Sequence, residues 1–317
     1  METIYFILRQ MFNFSIPLLL VALGGMFSAR GGVTNIGLEG LMVSGALASI
    51  CFIRFTMDFM GGQLQLGLAI LIAVAAGILV SLLHALASIN LKANQIISGQ
   101  AINTFAPAFS IFIARMIFGE QMITFNNTFL VKEVPVLSKI PVIGDIFFQR
   151  CYITTYLGLM ILAVSVFVLY KTRFGLRLRA CGEYPQAPDS VGINVYRMRY
   201  AGVIISGALC GLGGLVFVVP NATNFNSSVS GYGFLAMAVM IFGKWKPMRI
   251  FFASLFFGLM MTFSATYSGI PFLAGLGIPS NYYKMLPYIM TLVVLLFSGG
   301  NTGEPKANGQ PFEKGMR

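Results

Sequence analysis

Asn35 and Glu39 are the two residues whose types stand out against their surroundings. They lie in the stretch 31–46, GGVTNIGLEGLMVSGA, which is otherwise apolar and glycine-spaced. A carboxylate in hydrocarbon costs at least about 2.5 kcal/mol, so Glu39 is not idle there. It faces a watery or polar cavity, packs in a polar interior, or sits at a membrane boundary where it favours the dipole of its own helix. A second polar group, Asn94, Gln95, Ser98, Gln100 and Asn103, opens a later apolar run, and His84 and Asn90 close the run before it. Asn103 is deep enough in its run to read as an interhelical hydrogen bond. A lone histidine without a neighbouring acid is a poor proton relay, so His84 reads as a structural polar group.

These groups bind and orient; they do not break bonds. The chain has no GxxxxGK[ST] phosphate loop, and its ten acidic residues fall mostly between apolar runs, where no catalytic constellation can be assembled from them. Cys51, Cys151, Cys181 and Cys210 show no CxxC spacing, and His84 is the single histidine, so neither a metal site nor a disulfide framework is expected.

The elements that must position these residues are membrane spans. Hydrophobic residues make up 57% of the chain and charged residues 10%, with a mean hydropathy of +0.81. That is well below the ~25% charge of a soluble domain. Spans of roughly 20 residues fit at about 12–29, 36–53, 64–89, 95–117, 152–170, 200–219, 232–243, 250–268 and 285–299. The run at 232–243 is short, and reads equally as a plain span or as a tilted, broken or re-entrant helix. The expectation is an all-α polytopic bundle of about 8–10 helices, some short or broken. Paired glycines (Gly24 with Gly25; Gly207, Gly211 and Gly214; Gly275 with Gly277) would let its backbones approach closely.

The net charge of +11 is topology rather than affinity for nucleic acid. Lys171, Arg173, Arg177, Arg179, Arg197 and Arg199 crowd the loop 171–199, and Lys244, Lys246 and Arg249 the turn after 243. Both loops are expected in the cytoplasm. The uncharged segment 220–231 and the charge-balanced connector 118–150 are expected outside, which puts the amino terminus outside for nine spans. The connector reads as a small strand-plus-helix cap. Residues 300–317 read as a mobile cytoplasmic tail.

Loop 171–199 is too long for a tight connection. Its EYPQAPDSVGI portion reads as a short helix entered through a proline and ended by a glycine. Flanked by arginines, it would either dock into a groove of another protein or hold lipid headgroups.

Three segments together carry a family resemblance: GGVTNIGLEGLMVSGALAS, NQIISGQAINTFA at 94–106, and RFGLRLRACGEYPQAPDSVGINVYRMRYAGVIISGALCGLGG at 173–214. Over roughly residues 12 to 299 the chain resembles the permease subunits of bacterial ATP-binding cassette (ABC) importers for nucleosides and simple sugars. The NIGLEG pattern at Asn35 to Gly40 is similar to the nucleoside branch.

That resemblance implies a permease domain over 1–299 with no catalysis of its own and no bound cofactor, ATP and Mg belonging to a separate ABC ATPase subunit. It further implies a second permease subunit, identical or paralogous, an external or lipid-anchored solute-binding protein, and a multi-pass location in the bacterial inner membrane with a cytoplasmic carboxyl terminus. The expected substrate pathway residues are Asn35, Glu39, Asn94, Gln95, Ser98 and Asn103, and a purine could stack on a pore-facing Phe105, Phe109 or Phe112. The expected ATPase-coupling residues are Arg179, Ala180, Gly182, Glu183, Asp189 and Gly192, in a cytoplasmic coupling helix. Pro188 stands where relatives commonly have a small alanine, which would delay the start of that helix. The alternatives are a ribose- or galactose-type ABC permease and, from another class, an ion-coupled secondary transporter, for which Glu39 is the one intramembrane acid candidate.

Overall fold

A computed structural model describes residues 2–134, 144, 148–269, 275, 279–297 and 303–314. Helices dominate: α1 (Glu2–Arg30), α2 (Leu38–Thr56), α3 (Gly62–Ala85), α4 (Gln95–Phe118), α5 (Ile153–Lys171), α6 (Arg173–Glu183), α7 (Gln186–Ser190), α8 (Val195–Asn221), α9 (Tyr232–Phe242), α10 (Pro247–Thr266) and α11 (Ser280–Phe297). Seven of the described helices are long and apolar enough to cross a membrane, with α9 a shorter apolar helix. The all-α polytopic bundle is therefore what forms.

Helix α8 is the hub. Its most apolar window is 78% buried, against 28% for α3, α4, α5 and α10. Small residues make this possible, because lipid offers no hydrophobic drive for helix association and close backbone approach must supply the contact. The α-carbons of Gly207 and Gly211 press on Gly77 of α3, Gly214 presses on Met42 of α2, and Gly45 of α2 meets Gly211. No β-carbon fits at any of these points. Gly24 in α1 faces Ser206 and Cys210 of α8 more loosely, where a β-carbon would meet tight contacts, while Gly277 lies outside the described residues.

Helix α9 spans 11 residues, or about 16 Å at 1.5 Å per residue. That is about half of a ~30 Å hydrocarbon layer. It therefore forms a half-length helix, and the segment that leads into it carries buried backbone and side chains at Ser227 and Val229. Irregular backbone at membrane depth survives only where protein covers it.

The two ends of the bundle differ. At one end, β1 (Ile123–Thr124) pairs antiparallel with β4 (Asn224–Phe225), and β2 (Val131–Glu133) with β3 (Gln149–Cys151). The helical half of the expected cap lies outside the described residues. At the other end gather the last turn of α1, the α6–α7 segment, the α9–α10 turn and residues 303–314.

Within the tail expected to be mobile from 300 onward, residues 303–314 pack against the bundle. Ala307 donates its backbone N–H to Gly182 at 2.8 Å, and the Gln310 carbonyl receives Nη1 of Arg199 at 2.8 Å. Phe312 is buried in a small cluster with Cys181 and Val195, edge-on to Tyr196. Two apolar anchors and a buried guanidinium outweigh the polar, Gly- and Pro-rich composition that reads as loose chain.

Candidate functional site

The expected pathway residues come together around the segment 31–37, between α1 and α2. Asn35 accepts from the Gly37 amide at 3.0 Å and donates to Ser206 Oγ of α8 at 3.0 Å. Asn103 accepts from the Gly40 amide at 2.8 Å and donates to the Ile36 carbonyl at 2.9 Å, which makes it the interhelical hydrogen bond its depth indicated. Gln95 accepts from the Thr34 amide at 2.7 Å, while its buried Nε2 has no partner among the described residues. Ser98 reaches His84 Nδ1 at 3.0 Å, and the other ring nitrogen of His84 meets the Thr34 carbonyl at 3.2 Å.

Glu39 does something the sequence did not indicate. It lies in the first turn of α2, yet its two carboxylate oxygens accept from the amides of Gly231 at 2.9 Å and Gly233 at 2.6 Å. It caps α9, a helix far away in sequence. The first four amides of a helix have no partner within it, and a carboxylate there satisfies two of them and meets the positive end of the dipole. Gly233 is required for this approach, since a β-carbon would run into the Glu39 backbone.

Asn94 stands apart. It is exposed, and its side chain caps α4 by accepting from Ile96 and Ile97. The buried members of the group therefore hold a loop and two helix ends in place. The groups left uncovered run along one face of α4: Gln100 and Thr104 with Phe105, Phe109 and Phe112, the first two phenyl rings stacked 5.3 Å apart. Thr104 was not singled out by sequence, although its four-residue spacing from Gln100 places both on that face.

At the far end, α6 and α7 line an open groove of about 510 Å³, where Arg173 and Arg177 stand among the apolar Leu176, Ala180, Ala187, Pro188 and Val191. Leu176, Val191 and Tyr184 are largely exposed. Helix α7 starts at Gln186, behind Pro185. Pro188 thus falls in the first turn, where a missing N–H costs nothing, and it does not delay the helix. Gly192, at φ +80, lets the chain turn away.

The expected coupling residues divide accordingly. Ala180 lines the groove. Arg179 lies over the Tyr170 ring at 5.3 Å, and Asp189 and Gly192 close α7 with a backbone bond of 3.0 Å. Gly182 is buried against the Arg30 carbonyl. Glu183 faces outward and pairs with Arg30 at 3.5 Å. Cys181 beside it is buried, and burial pushes its thiol up to about 11.

Arg30 itself was missed by the sequence reading. It ends α1, and its Nη2 and Nε donate to the Trp245 carbonyl at 2.9 and 3.3 Å. That carbonyl belongs to the α9–α10 turn, in which Lys244 (φ +49) and Trp245 (φ +53) are both left-handed without being glycine. Each costs about 1–2 kcal/mol, a strain that persists only where surrounding contacts fix it. Among the described residues no group of histidine, cysteine and acids could hold a metal ion.

The sequence has clear relatives among known proteins. The family described as "Branched-chain amino acid transport system / permease component" matches residues 7–295. The guanosine ABC transporter permease protein NupQ of Bacillus subtilis is 45% identical over 306 residues, covering 96% of this chain and 95% of that protein. The nucleoside ABC transporter permease protein NupC of Lactococcus lactis is 41% identical over 314 residues, 99% and 98% of the two chains. A putative glucose ABC transporter permease protein of Haloferax volcanii, TsgC13, is 32% identical over 77% of this chain and 72% of its own. No solved structure matches. Matched over residues 7–295 and 45% identical to one such permease over nearly the whole of both chains, the chain belongs to this family of transport-system permease components.

Proposed function

We propose that this chain is one permease subunit of an ABC importer that takes a nucleoside, of purine type, from an external solute-binding protein to the cytoplasm. The observation that carries the reading is 45% identity, over nearly the whole of both chains, to a guanosine permease. ATP and Mg belong to a separate ATPase subunit. Its docking point is the α6–α7 groove, where exposed Leu176 and Val191 between arginines suit an apolar side chain on an acidic partner surface better than they suit lipid headgroups. Excess basic charge at that end of the bundle supports a cytoplasmic location for it, and for the carboxyl terminus, in a bacterial inner membrane.

The uncovered face of α4 supports a passage between this subunit and a second permease, identical or paralogous. Gln100 and Thr104 offer hydrogen bonds there, and Phe105 and Phe109 offer flat apolar faces on which a base could stack. The buried asparagines and Glu39 hold the wall of that passage instead of facing it. An ion-coupled carrier has less support, because the Glu39 carboxylate is already engaged by two amides.

The second substrate reading, a simple sugar, draws on the 32% identity to a putative glucose permease. A binding screen on the cognate external binding protein separates the two. Tight guanosine or inosine binding supports the nucleoside reading, and exclusive ribose, galactose or glucose binding replaces it with the sugar reading.

A further inference from the structure

Helix α9 is held at both ends by residues distant in sequence. Glu39 fixes its amino end by way of Gly231 and Gly233. Arg30 fixes the turn at its carboxyl end by way of the Trp245 carbonyl. Arg30 also has a third contact, since Nη1 faces the carboxylate of Glu183, the last residue of α6, at 3.5 Å. A guanidinium suits such a junction because its nitrogens are fixed in one plane and reach two acceptors at once.

Packing reinforces the junction. The Gly182 α-carbon lies directly on the Arg30 carbonyl, and Met240 of α9 lies against Gly25, further up α1. A displacement of α6 thus reaches the end of α1 through both contact and charge, and from there the α9–α10 turn. That turn holds its left-handed Lys244 and Trp245 in a conformation that depends on neighbours. Release of the neighbours that hold this strain would favour its relaxation, which makes the turn a suitable transmitting element.

We propose that Arg30 is the positioning residue that transmits movement of the ATPase-facing α6 to the half-length helix α9, and through α9 to Glu39 and the polar interior. This rests on the reading of the α6–α7 groove as the ATPase docking point. Arg30 touches neither nucleotide nor substrate; it acts through Glu183 on one side and Trp245 on the other.

The test uses the complete importer in proteoliposomes and reads nucleoside moved per ATP hydrolysed, a ratio that simple loss of folded complex leaves unchanged. Arg30→Gln is expected to lower the ratio at least about fivefold, the low end of typical coupling effects. Glu183→Gln is expected to lower it as well, and the double variant no further than the stronger single one, because both break one chain of contacts. An unchanged ratio for Arg30→Gln, or fully additive losses, overturns the proposal. Should the Arg30 variant fail to assemble, Glu183→Gln, at a half-exposed position, carries the comparison, and an unchanged ratio there overturns it equally. In parallel, Gln186→Cys is tested for cross-linking to the ATPase. A cross-link with unchanged ratios removes only the role of Arg30, whereas absence of any cross-link removes the docking reading and the proposal together.

Discussion

Glu39 receives the backbone N–H of Gly233, 194 residues further along the chain, at 2.6 Å. An acid at the start of one membrane helix is thus the cap of another. The α9 amides would otherwise face a low-dielectric interior without partners, a cost of several kcal/mol per group in lipid. Replacement of Glu39 by Gln leaves one oxygen to accept and turns an NH2 toward the other amide, and replacement by Ala leaves both amides unpaired. We expect Glu39→Gln to destabilise the protein by about 1–3 kcal/mol and Glu39→Ala by more, measured as unfolding of purified protein in detergent. Equal stability of wild type and Glu39→Ala would show that the cap does not matter.

Glycine contacts around α8 allow a differential prediction. A β-carbon on Gly211 would collide with the Ala73 carbonyl of α3, whereas one on Gly67, on the same α3 helix, meets nothing. Gly211→Ala should therefore cost about 1–3 kcal/mol from overpacking. Gly67→Ala should stabilise by up to about 1 kcal/mol, because alanine is the better helix former. Thermal unfolding of the two variants side by side checks the sign of each.

Residues 303–314 cover Cys181. With its thiol pushed up to about 11 by burial, the protonated form dominates throughout the physiological range, and the reactive thiolate grows only as pH rises toward that value. In protein retaining Cys181 as its single cysteine, alkylation at pH 8 should be slow. Deletion of 303–317 removes Phe312 and the Ala307–Gly182 bond, and should speed alkylation at least about tenfold, since reactivity follows exposure and thiolate fraction. An unchanged rate would mean that the segment does not shield the thiol.

Charge in the groove should oppose docking. Leu176 and Val191 are 61% and 73% exposed, so Leu176→Asp and Val191→Asp should leave the folded permease intact, since surface changes are usually within about 0.5 kcal/mol. Loss of an apolar anchor at an interface commonly costs about 2 kcal/mol or more, so co-purification of the ATPase should fall at least about tenfold. Undiminished co-purification with both substitutions would place the ATPase contact elsewhere.

How far the sequence reached is clear from particular residues. Seven of the nine expected spans match helices of membrane length among the described residues, legible because apolar runs of that length leave few alternatives, although α1 begins at Glu2, ten residues before the expected 12. Its first turns carry Arg9 and polar groups that hydropathy discounts and helical hydrogen bonding does not. The interhelical hydrogen bonds of Asn103 were legible because depth within a span already implies such a partner, although Asn103 was also expected among the pathway residues. The role of Glu39 was not legible, since a helix-start acid looks alike whether it serves its own helix or one near residue 233. Arg30 was invisible for the same reason: its partners, Glu183 and Trp245, are 153 and 215 residues away. The order in residues 303–314 was hidden because composition counts Gly, Pro and polar residues, while two buried side chains, Ala307 and Phe312, decide the outcome.

The proposed transport requires a permease driven by a separate motor. Its most direct test is guanosine accumulation in proteoliposomes holding this chain, the proposed second permease, the ATPase and the binding protein. Accumulation should require ATP on the ATPase side and stop when the ATPase is omitted. Accumulation by this chain alone, with only a proton or sodium gradient supplied, would contradict it.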